Sequence, residues 1–219
     1  MAAGDIDAGF LNKFSRQNAA LGAEVTMKMT KMRAAVVGCS GVAVEVVKNL
    51  VLQGLGGVTL IDAKPAQMRD LGANFFLSEA DVGKPLGPTL APKFKELNPF
   101  CDIKAADALT PELLSQHGVL LICEDMPLPE LLKWNALCRD AQPKAIAFVF
   151  VHTGGAFGSV FVDFGSAHVV SDPNGQQPIV RLVEGVESAP EALVRVTVPD
   201  GQAPGSLPEG SYVEFSDVK

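Results

Sequence analysis

The most constraining feature of the sequence is the run AAVVGCSGVAVEVVKNL, from Ala34 to Leu50. An apolar, β-branched segment leads through a turn of small residues into a stretch whose apolar positions have helical spacing. This order is typical of nucleotide-binding α/β domains, in which the turn and the helix N-terminus hold phosphate groups. It predicts a strand from Arg33 to Val37 and a helix from Val42 to Leu52. The predicted inner face of that helix consists of Val42, Val46, Val47 and Leu50.

The same alternation of strands and helices continues along the chain. Further strands are predicted at VTLID, CDIKAA, GVLLIC and AIAFVFV, and further helices at FKELN, PELLSQ and LPELLKWNALCRDA. Apolar strands that alternate with amphipathic helices indicate a parallel, doubly wound sheet. After His152 the pattern changes to strand-like runs separated by turns such as DPNG and PDGQ. We therefore expect a Rossmann-like, mostly parallel sheet with an antiparallel extension, followed by a small β-rich module.

Charge and cysteine spacing exclude several classes of function. The formal net charge of -7 argues against a nucleic-acid or membrane partner, because both favour a basic surface. The acidic start MAAGDIDAGF does not resemble a targeting sequence, and no apolar run reaches the ~18 residues of a membrane span. We therefore expect a protein of the cytoplasm and nucleus. The four cysteines lack metal-ligand spacing and are predicted to be reduced structural thiols, with no metal site.

The glycine turn departs from the dinucleotide-binding pattern G-x-G-x-x-G. Its three glycine positions hold Gly38, Ser40 and Ala43, with Gly41 as an additional glycine. The second glycine of the pattern lets the backbone approach the phosphates. Ser40 places a Cβ and a hydroxyl at that point, so the pattern predicts the fold better than it predicts binding.

The second part of a dinucleotide site would be an acidic residue about 20 positions further on, which contacts the ribose. Asp62, at the end of VTLID, is the candidate, but Lys64 would place a cation beside its carboxylate. The sequence therefore predicts a degenerate nucleotide site formed by Gly38, Ser40, Gly41, Ala43, Asp62 and Lys64.

Six segments, in this order, resemble the ubiquitin-activating enzymes. They are FSRQ, GCSGVAVEVVKNLVLQGLGGVTLID, NFFLSEADVGKP, HTGGAFGSVFVDFG, VSDPNGQQP and GSYVEFSDV. The likeness is to the inactive adenylation half at the N-terminus of those enzymes. It implies a ThiF-type adenylation domain over residues 1–173. It also implies part of the first catalytic-cysteine half-domain over residues 174–219, so the chain is expected to be a fragment of a longer enzyme.

In that family two homologous adenylation domains pair, and only one of them binds ATP and magnesium to adenylate ubiquitin. Asp62 matches the first acid of the active half, whereas Lys64 stands in place of the second. Gly72, Ala73 and Asn74 occupy the positions of a polar Asn, Arg and Gln cluster. The resemblance therefore implies a non-catalytic half without a cofactor or catalytic residue of its own. Its implied partners are ubiquitin and an active adenylation half that holds ATP and magnesium.

The opening motif contributes one further residue. In the resembling enzymes its arginine reaches the ATP that is bound in the other half, and Arg16 is the matching residue. A guanidinium group suits that role because its planar fork donates bidentate hydrogen bonds to phosphate and stays charged. Gln17, beside it, is expected to help order the helix.

Three other functions are compatible with parts of the sequence. Gly38, Asp62 and the β/α alternation would also fit an NAD-binding domain of an oxidoreductase. The regulatory subunit of a SUMO- or NEDD8-activating heterodimer would share the family motifs. A stand-alone interaction module without an enzymatic role is the third alternative.

Overall fold

The computed structural model describes residues 8–170, 180–198 and 213–216. The chain divides into two compact units, Met1–His168 and Val169–Lys219. The assignment of domains to residues 1–173 and 174–219 stays a prediction. The helices are α1 (Ala8–Lys13), α2 (Ser15–Leu21), α3 (Ala23–Met29), α4 (Gly41–Leu52), α5 (Leu86–Leu97), α6 (Pro111–Leu114) and α7 (Leu128–Asp140). The strands are β1 (Arg33–Val37), β2 (Gly57–Ile61), β3 (Asp102–Ala106), β4 (Val119–Ile122), β5 (Ala147–Gly154), β6 (Phe157–Asp163), β7 (Leu182–Val186) and β8 (Val194–Thr197).

The first unit contains a six-stranded sheet in the order β3-β2-β1-β4-β5-β6. The first five strands are parallel, and β6 runs antiparallel to β5. Every residue of β2 is buried, as expected of a strand that is covered on both faces. One apolar layer packs the sheet against α4 and α5, and a second layer packs it against α6 and α7. The predicted doubly wound sheet with an antiparallel extension is confirmed.

Helix α4 turns a slightly different face to the sheet than the sequence predicted. Its fully buried residues are Ala43, Val44, Val47 and Val51, whereas Val42, Val46 and Leu50 are only partly buried. A small residue at position 43 lets the first turn of the helix pack closely on the strands. This close approach places the buried stripe on Ala43 rather than on the larger Val42.

The N-terminal segment forms three short helices, and Gly22, at a φ of +84°, separates α2 from α3. Phe14 is buried against Gly54, where an added Cβ would lie 2.9 Å from the ring. The Gln17 side-chain amide donates a hydrogen bond to the carbonyl of Gln53 over 2.9 Å. These contacts fix the segment to the end of α4.

Strand β6 forms the edge of the sheet and leaves apolar side chains accessible to solvent. Phe157 is 84% exposed, and Val160, Phe161 and Val162 are also exposed. In the second unit, β7 and β8 pair as a separate two-stranded antiparallel sheet. This small sheet agrees with the predicted β-rich module.

Candidate functional site

The candidate site lies at the carboxyl ends of β1, β2 and β4. Because β1 lies between the other two strands, the segments that follow them converge on one crevice of about 200 Å³. This position is the topological switch point, where open α/β sheets bind their ligands. Sites for small molecules typically measure about 300–1,000 Å³, so this crevice is small for a nucleotide.

The turn after β1 packs tightly against a residue that follows β4. Gly38 has a φ of +85°, and a Cβ added there would lie 2.8 Å from the Cβ of Glu124. Ser40 is the N-cap of α4, and its hydroxyl donates a hydrogen bond to the carbonyl of Cys123 over 2.9 Å. The same oxygen accepts from the backbone N–H of Ala43 at 3.5 Å. The Ser40 side chain thus connects the turn to β4 and to the first turn of the helix.

The candidate ribose acid, Asp62, is engaged by the backbone. It is 5% exposed. One carboxylate oxygen accepts the N–H of Cys39 at 2.9 Å, and the other accepts the N–H of Lys64 at 3.0 Å. The first bond therefore ties the loop after β1 to the loop after β2, and the second orders the loop after β2.

The Lys64 ammonium group pairs with Glu124 rather than with Asp62. Partial burial alone would lower the pKa of Lys64, but the hydrogen bond and charge of Glu124 raise it above its ordinary value. Sequence reasoning did not identify Glu124, because no local pattern connects a residue after β4 with one after β2. The ion pair spans the crevice between the two strand ends.

The segment from Gly72 to Asn74 packs against the start of α4. A Cβ added at Gly41 would lie 2.7 Å from the Cβ of Ala73 and 2.9 Å from its carbonyl oxygen. Asn74 is 1% exposed, and its side-chain oxygen accepts the N–H of Phe76. Gly72 and Ala73 have no polar side chain that could bond to a phosphate. Arg69, which is exposed, is a cation that this segment does place at the crevice.

The cysteines are buried thiols. Burial is the main cause that raises the pKa of Cys39 far above its ordinary value, with added repulsion from Asp62 and Glu124. Burial likewise raises the pKa of Cys123 to about 11 and that of Cys138 to about 12. These thiols stay protonated at neutral pH, which makes them poor nucleophiles. Among the described residues no group of His, Cys, Asp and Glu is placed to hold a metal ion.

Arg16 lies apart from the crevice residues, in the first turn of α2. Its side chain is exposed and makes no hydrogen bond or ion pair with a described residue. The structure therefore places the predicted site residues in two groups. The crevice unites Gly38, Ser40, Asp62 and Lys64, with Gly41 and Ala43 in the first turn of α4, whereas Arg16 is separate.

Comparison with known proteins places this geometry in a family. The sequence profile of the ThiF family matches residues 14–161. The chain belongs to the ThiF family. It is 32% identical over 215 residues to ubiquitin-activating enzyme E1 1 of Candida albicans. It is 33% identical over 216 residues to human ubiquitin-like modifier-activating enzyme 1. Each match covers 98% of this chain but 20% of the relative, so the chain spans about a fifth of their length.

Solved structures support the same fold. The tRNA N6-threonylcarbamoyladenosine dehydratase TcdA of E. coli superimposes with a TM-score of 0.57 and 20% identity, over 67% of this chain and 62% of that protein. The complex of TcdA with ATP superimposes with a TM-score of 0.54 and 21% identity, over 62% of this chain and 58% of TcdA. At this identity the likeness concerns the fold alone. The recognised resemblance to ubiquitin-activating enzymes is confirmed. No helix in the described part of the chain has the length and apolar character that crossing a bilayer requires.

Proposed function

We propose that this ThiF domain is the non-catalytic adenylation half of a ubiquitin-activating enzyme. It would act as the scaffold for ATP-dependent adenylation of ubiquitin by a second, active half. The observation that carries the proposal is the pairing of the crevice groups with one another. Asp62 accepts two backbone N–H groups, and Lys64 pairs with Glu124. A nucleotide would have to displace these contacts from a crevice of about 200 Å³.

The shortage of unpaired cations in the crevice supports the same conclusion, since its exposed Arg69 lies 4.0 Å from the Asp70 carboxylate. Phosphoryl chemistry needs cations or a metal ion near the phosphates. Lys64 is neutralised by Glu124, and Gly72 and Ala73 replace polar positions of the active half. We therefore assign ATP and magnesium to the active half, and no cofactor to this one.

The edge strand β6 supports pairing with a second domain. Its exposed apolar residues, Phe157, Val160, Phe161 and Val162, are of the kind that interfaces bury. This strand would thus contribute to the contact with the active adenylation half. Ubiquitin would be the second partner of this chain, and both would be met in the cytoplasm and nucleus.

Arg16 would be the one residue of this chain that contacts the nucleotide. It is exposed on a helix and has no partner among the described residues, so its guanidinium group is available to a ligand held by another domain. Hydrogen bonds between a charged group and phosphate contribute roughly 1.5–3 kcal/mol. We assign Arg16 to the outer phosphates, where it would position and neutralise the ATP.

The test is the Arg16→Ala substitution in the longer enzyme, assayed by pyrophosphate exchange at subsaturating ATP. We expect a reduction of about tenfold, at ~1.4 kcal/mol per factor of ten. Arg16→Lys should recover only part of this loss, because a point charge does not reproduce the guanidinium fork. Arg69→Ala is the matched control, since Arg69 is exposed but lines the crevice of this chain.

The two variants separate the possible ATP sites. If Arg69→Ala slows the exchange and Arg16→Ala does not, ATP is bound in the crevice of this chain and the proposal is wrong. Direct titration of the chain with ATP and magnesium gives an independent result. We expect no saturable binding at micromolar concentrations, whereas a low-micromolar dissociation constant would identify a working nucleotide site.

A further inference from the structure

A larger cavity lies at the opposite end of the sheet. It measures about 650 Å³, within the range of about 300–1,000 Å³ that is typical of ligand sites. Its walls are formed where β1, β4 and β5 begin and where α6 and α7 end. We call it the amino-end cavity. None of its lining residues belongs to the crevice described above.

The charge of the amino-end cavity is opposite to that of the chain. Lys31, Arg33 and Lys144 line it, against one carboxylate, Asp140, although the whole chain has a net charge of -7. Arg33 is held by Asp102 over 2.9 Å. The ammonium groups of Lys31 and Lys144 make no hydrogen bond or ion pair with a described residue. These two lysines are therefore available to an anionic partner.

The remaining walls are largely apolar. Met32, Leu114, Leu137 and Ile146 contribute side chains, and no Phe, Tyr or Trp is among the lining residues. The one ring in the wall, the imidazole of His117, is buried and bonds to Thr59 and Leu113, so it offers little surface on which a nucleobase could stack. The cavity thus suits an aliphatic or aromatic side chain of the ligand better than a nucleotide.

The end of α7 determines which polar groups the ligand should carry. This helix ends at Asp140, in the cavity wall, and the carbonyl of Asp140 accepts no hydrogen bond from the described residues. A helix C-terminus has a partial negative charge, which disfavours the concentrated charge of a phosphate but attracts N–H donors. An extended peptide supplies N–H donors from its backbone and separates them from its acidic side chains.

We propose that the amino-end cavity binds an acidic peptide segment of a partner protein. Carboxylates of the segment pair with Lys31 and Lys144, one apolar side chain packs between α6 and α7, and backbone N–H groups face the end of α7. This interaction is separate from the proposed adenylation role, because it uses the opposite end of the sheet.

The experiment selects ligands from a random peptide library displayed on phage, with the full chain as the target. A consensus peptide is then synthesised with a fluorescent label, and its affinity is measured by fluorescence anisotropy. We expect sequences enriched in Asp and Glu around a Leu or Phe, and binding that weakens as salt is added. A selection that enriches no peptide, or basic peptides, overturns the proposal.

Two double variants with the same change in net charge locate the binding. Lys31→Glu with Lys144→Glu reverses the cavity lysines, whereas Lys28→Glu with Lys133→Glu reverses exposed lysines outside the cavity. We expect the first pair to weaken the peptide by about tenfold or more and the second pair by less than about threefold. Equal weakening by both pairs would reduce the effect to net charge and contradict a site in the cavity.

A third variant tests the apolar contact without altering charge. Met32 is 46% exposed in the cavity wall, so Met32→Ser is tolerated by the fold and should weaken the peptide by a few fold. Fluorescein-labelled single-stranded RNA and anionic phospholipid vesicles serve as competing probes. If either binds through Lys31 and Lys144 more tightly than the selected peptide, the ligand class is wrong and the proposal fails.

Discussion

The two ends of the parallel sheet differ in how their polar groups are used. At the carboxyl end, Asp62 accepts two backbone N–H groups, and Lys64 forms an ion pair with Glu124. At the amino end, Lys31 and Lys144 line a larger cavity without partners among the described residues. At the carboxyl end, where α/β domains usually bind ligands, the polar side chains bond to other groups of the protein. At the amino end, the two lysines have no such partners among the described residues. Fold alone therefore does not locate a binding site; the pairing of side chains does.

The largest expected effect comes from Asp62→Ala at the carboxyl end. The substitution leaves the N–H of Cys39 without its acceptor in a buried place, and that of Lys64 without its acceptor in a half-buried one. We expect the free energy of unfolding to fall by about 3 kcal/mol, measured by urea denaturation. Asp140→Ala, in the wall of the amino-end cavity, should change it by less than about 0.5 kcal/mol. Equal effects of the two variants would remove the difference between the two ends.

Gly38→Ala should have the next largest effect. An alanine there adopts the unfavourable φ of +85° and its Cβ collides with the Cβ of Glu124 at 2.8 Å. We expect a loss of about 2 kcal/mol in thermal or chemical denaturation. Gly83→Ala is the control, because Gly83 has a φ of +87° and nothing within 4 Å of an added Cβ. If both variants lose the same stability, the turn after β1 is not tightly packed.

A smaller effect should appear at the amino end as pH falls. His117 lines the amino-end cavity, where it contacts the Thr59 hydroxyl at 2.8 Å and the Leu113 carbonyl at 2.7 Å. Burial lowers the pKa of His117 below its ordinary value of 6.5, although the bond to Leu113 opposes this. The folded state therefore favours the neutral ring more than the unfolded state does. Its contribution to stability is complete above pH 6.5 and is lost as pH falls through the folded pKa.

The urea concentration at the midpoint of unfolding, measured at several pH values from about 7.5 to about 5, checks this expectation. His117→Gln should flatten the decline, and His168→Gln, at an exposed position, should leave it unchanged. A decline that survives His117→Gln would assign the pH dependence to other groups.

The smallest effect is expected for Glu124→Gln. Lys64 is 65% exposed, and exposed ion pairs contribute about 0–1 kcal/mol. Stability should thus change little, and the variant should still bind no ATP in calorimetric titration, because Asp62 continues to hold both loops. If the loss of this ion pair alone produced ATP binding, the crevice would be closed by Lys64 and Glu124 only. Glu79→Gln, at an exposed position, controls for the change in net charge.

The sequence was sufficient to predict the sheet, but not the side-chain contacts between distant segments. Period and turn residues predicted β1, α4, β2 and the helix that contains Trp134, because these features are local. The partner of Lys64 could not be predicted, since Glu124 is 60 residues away. The same holds for the amino-end cavity, whose walls come from Lys31, Leu114 and Lys144. Contacts of this kind exist only after the strands are ordered in space.

The degeneracy of the nucleotide loop could be anticipated in part. Ser40 in a glycine position predicted poor access to phosphate from its volume alone, but not that its hydroxyl would bond to the carbonyl of Cys123. Asp62 was the candidate ribose acid of a site predicted to be degenerate, and in the structure both its oxygens accept backbone N–H groups. The residue type thus indicated the position, and the three-dimensional surroundings determined its use.

The strand order also has a consequence for the path of folding. A short turn at Gly155 connects the paired strands β5 and β6. In contrast, β1 and β4, in which Ala34 pairs with Val119, are far apart in the sequence. Closing the long segment between β1 and β4 costs more chain entropy than closing the turn between β5 and β6. It also requires β2 and β3 to lie on the other side of β1 from β4. We therefore expect the β5–β6 hairpin to acquire protection first and the β1–β4 seam last in pulsed hydrogen exchange. A chain emerging from the ribosome would present its central strand before the neighbour that completes it has been synthesised.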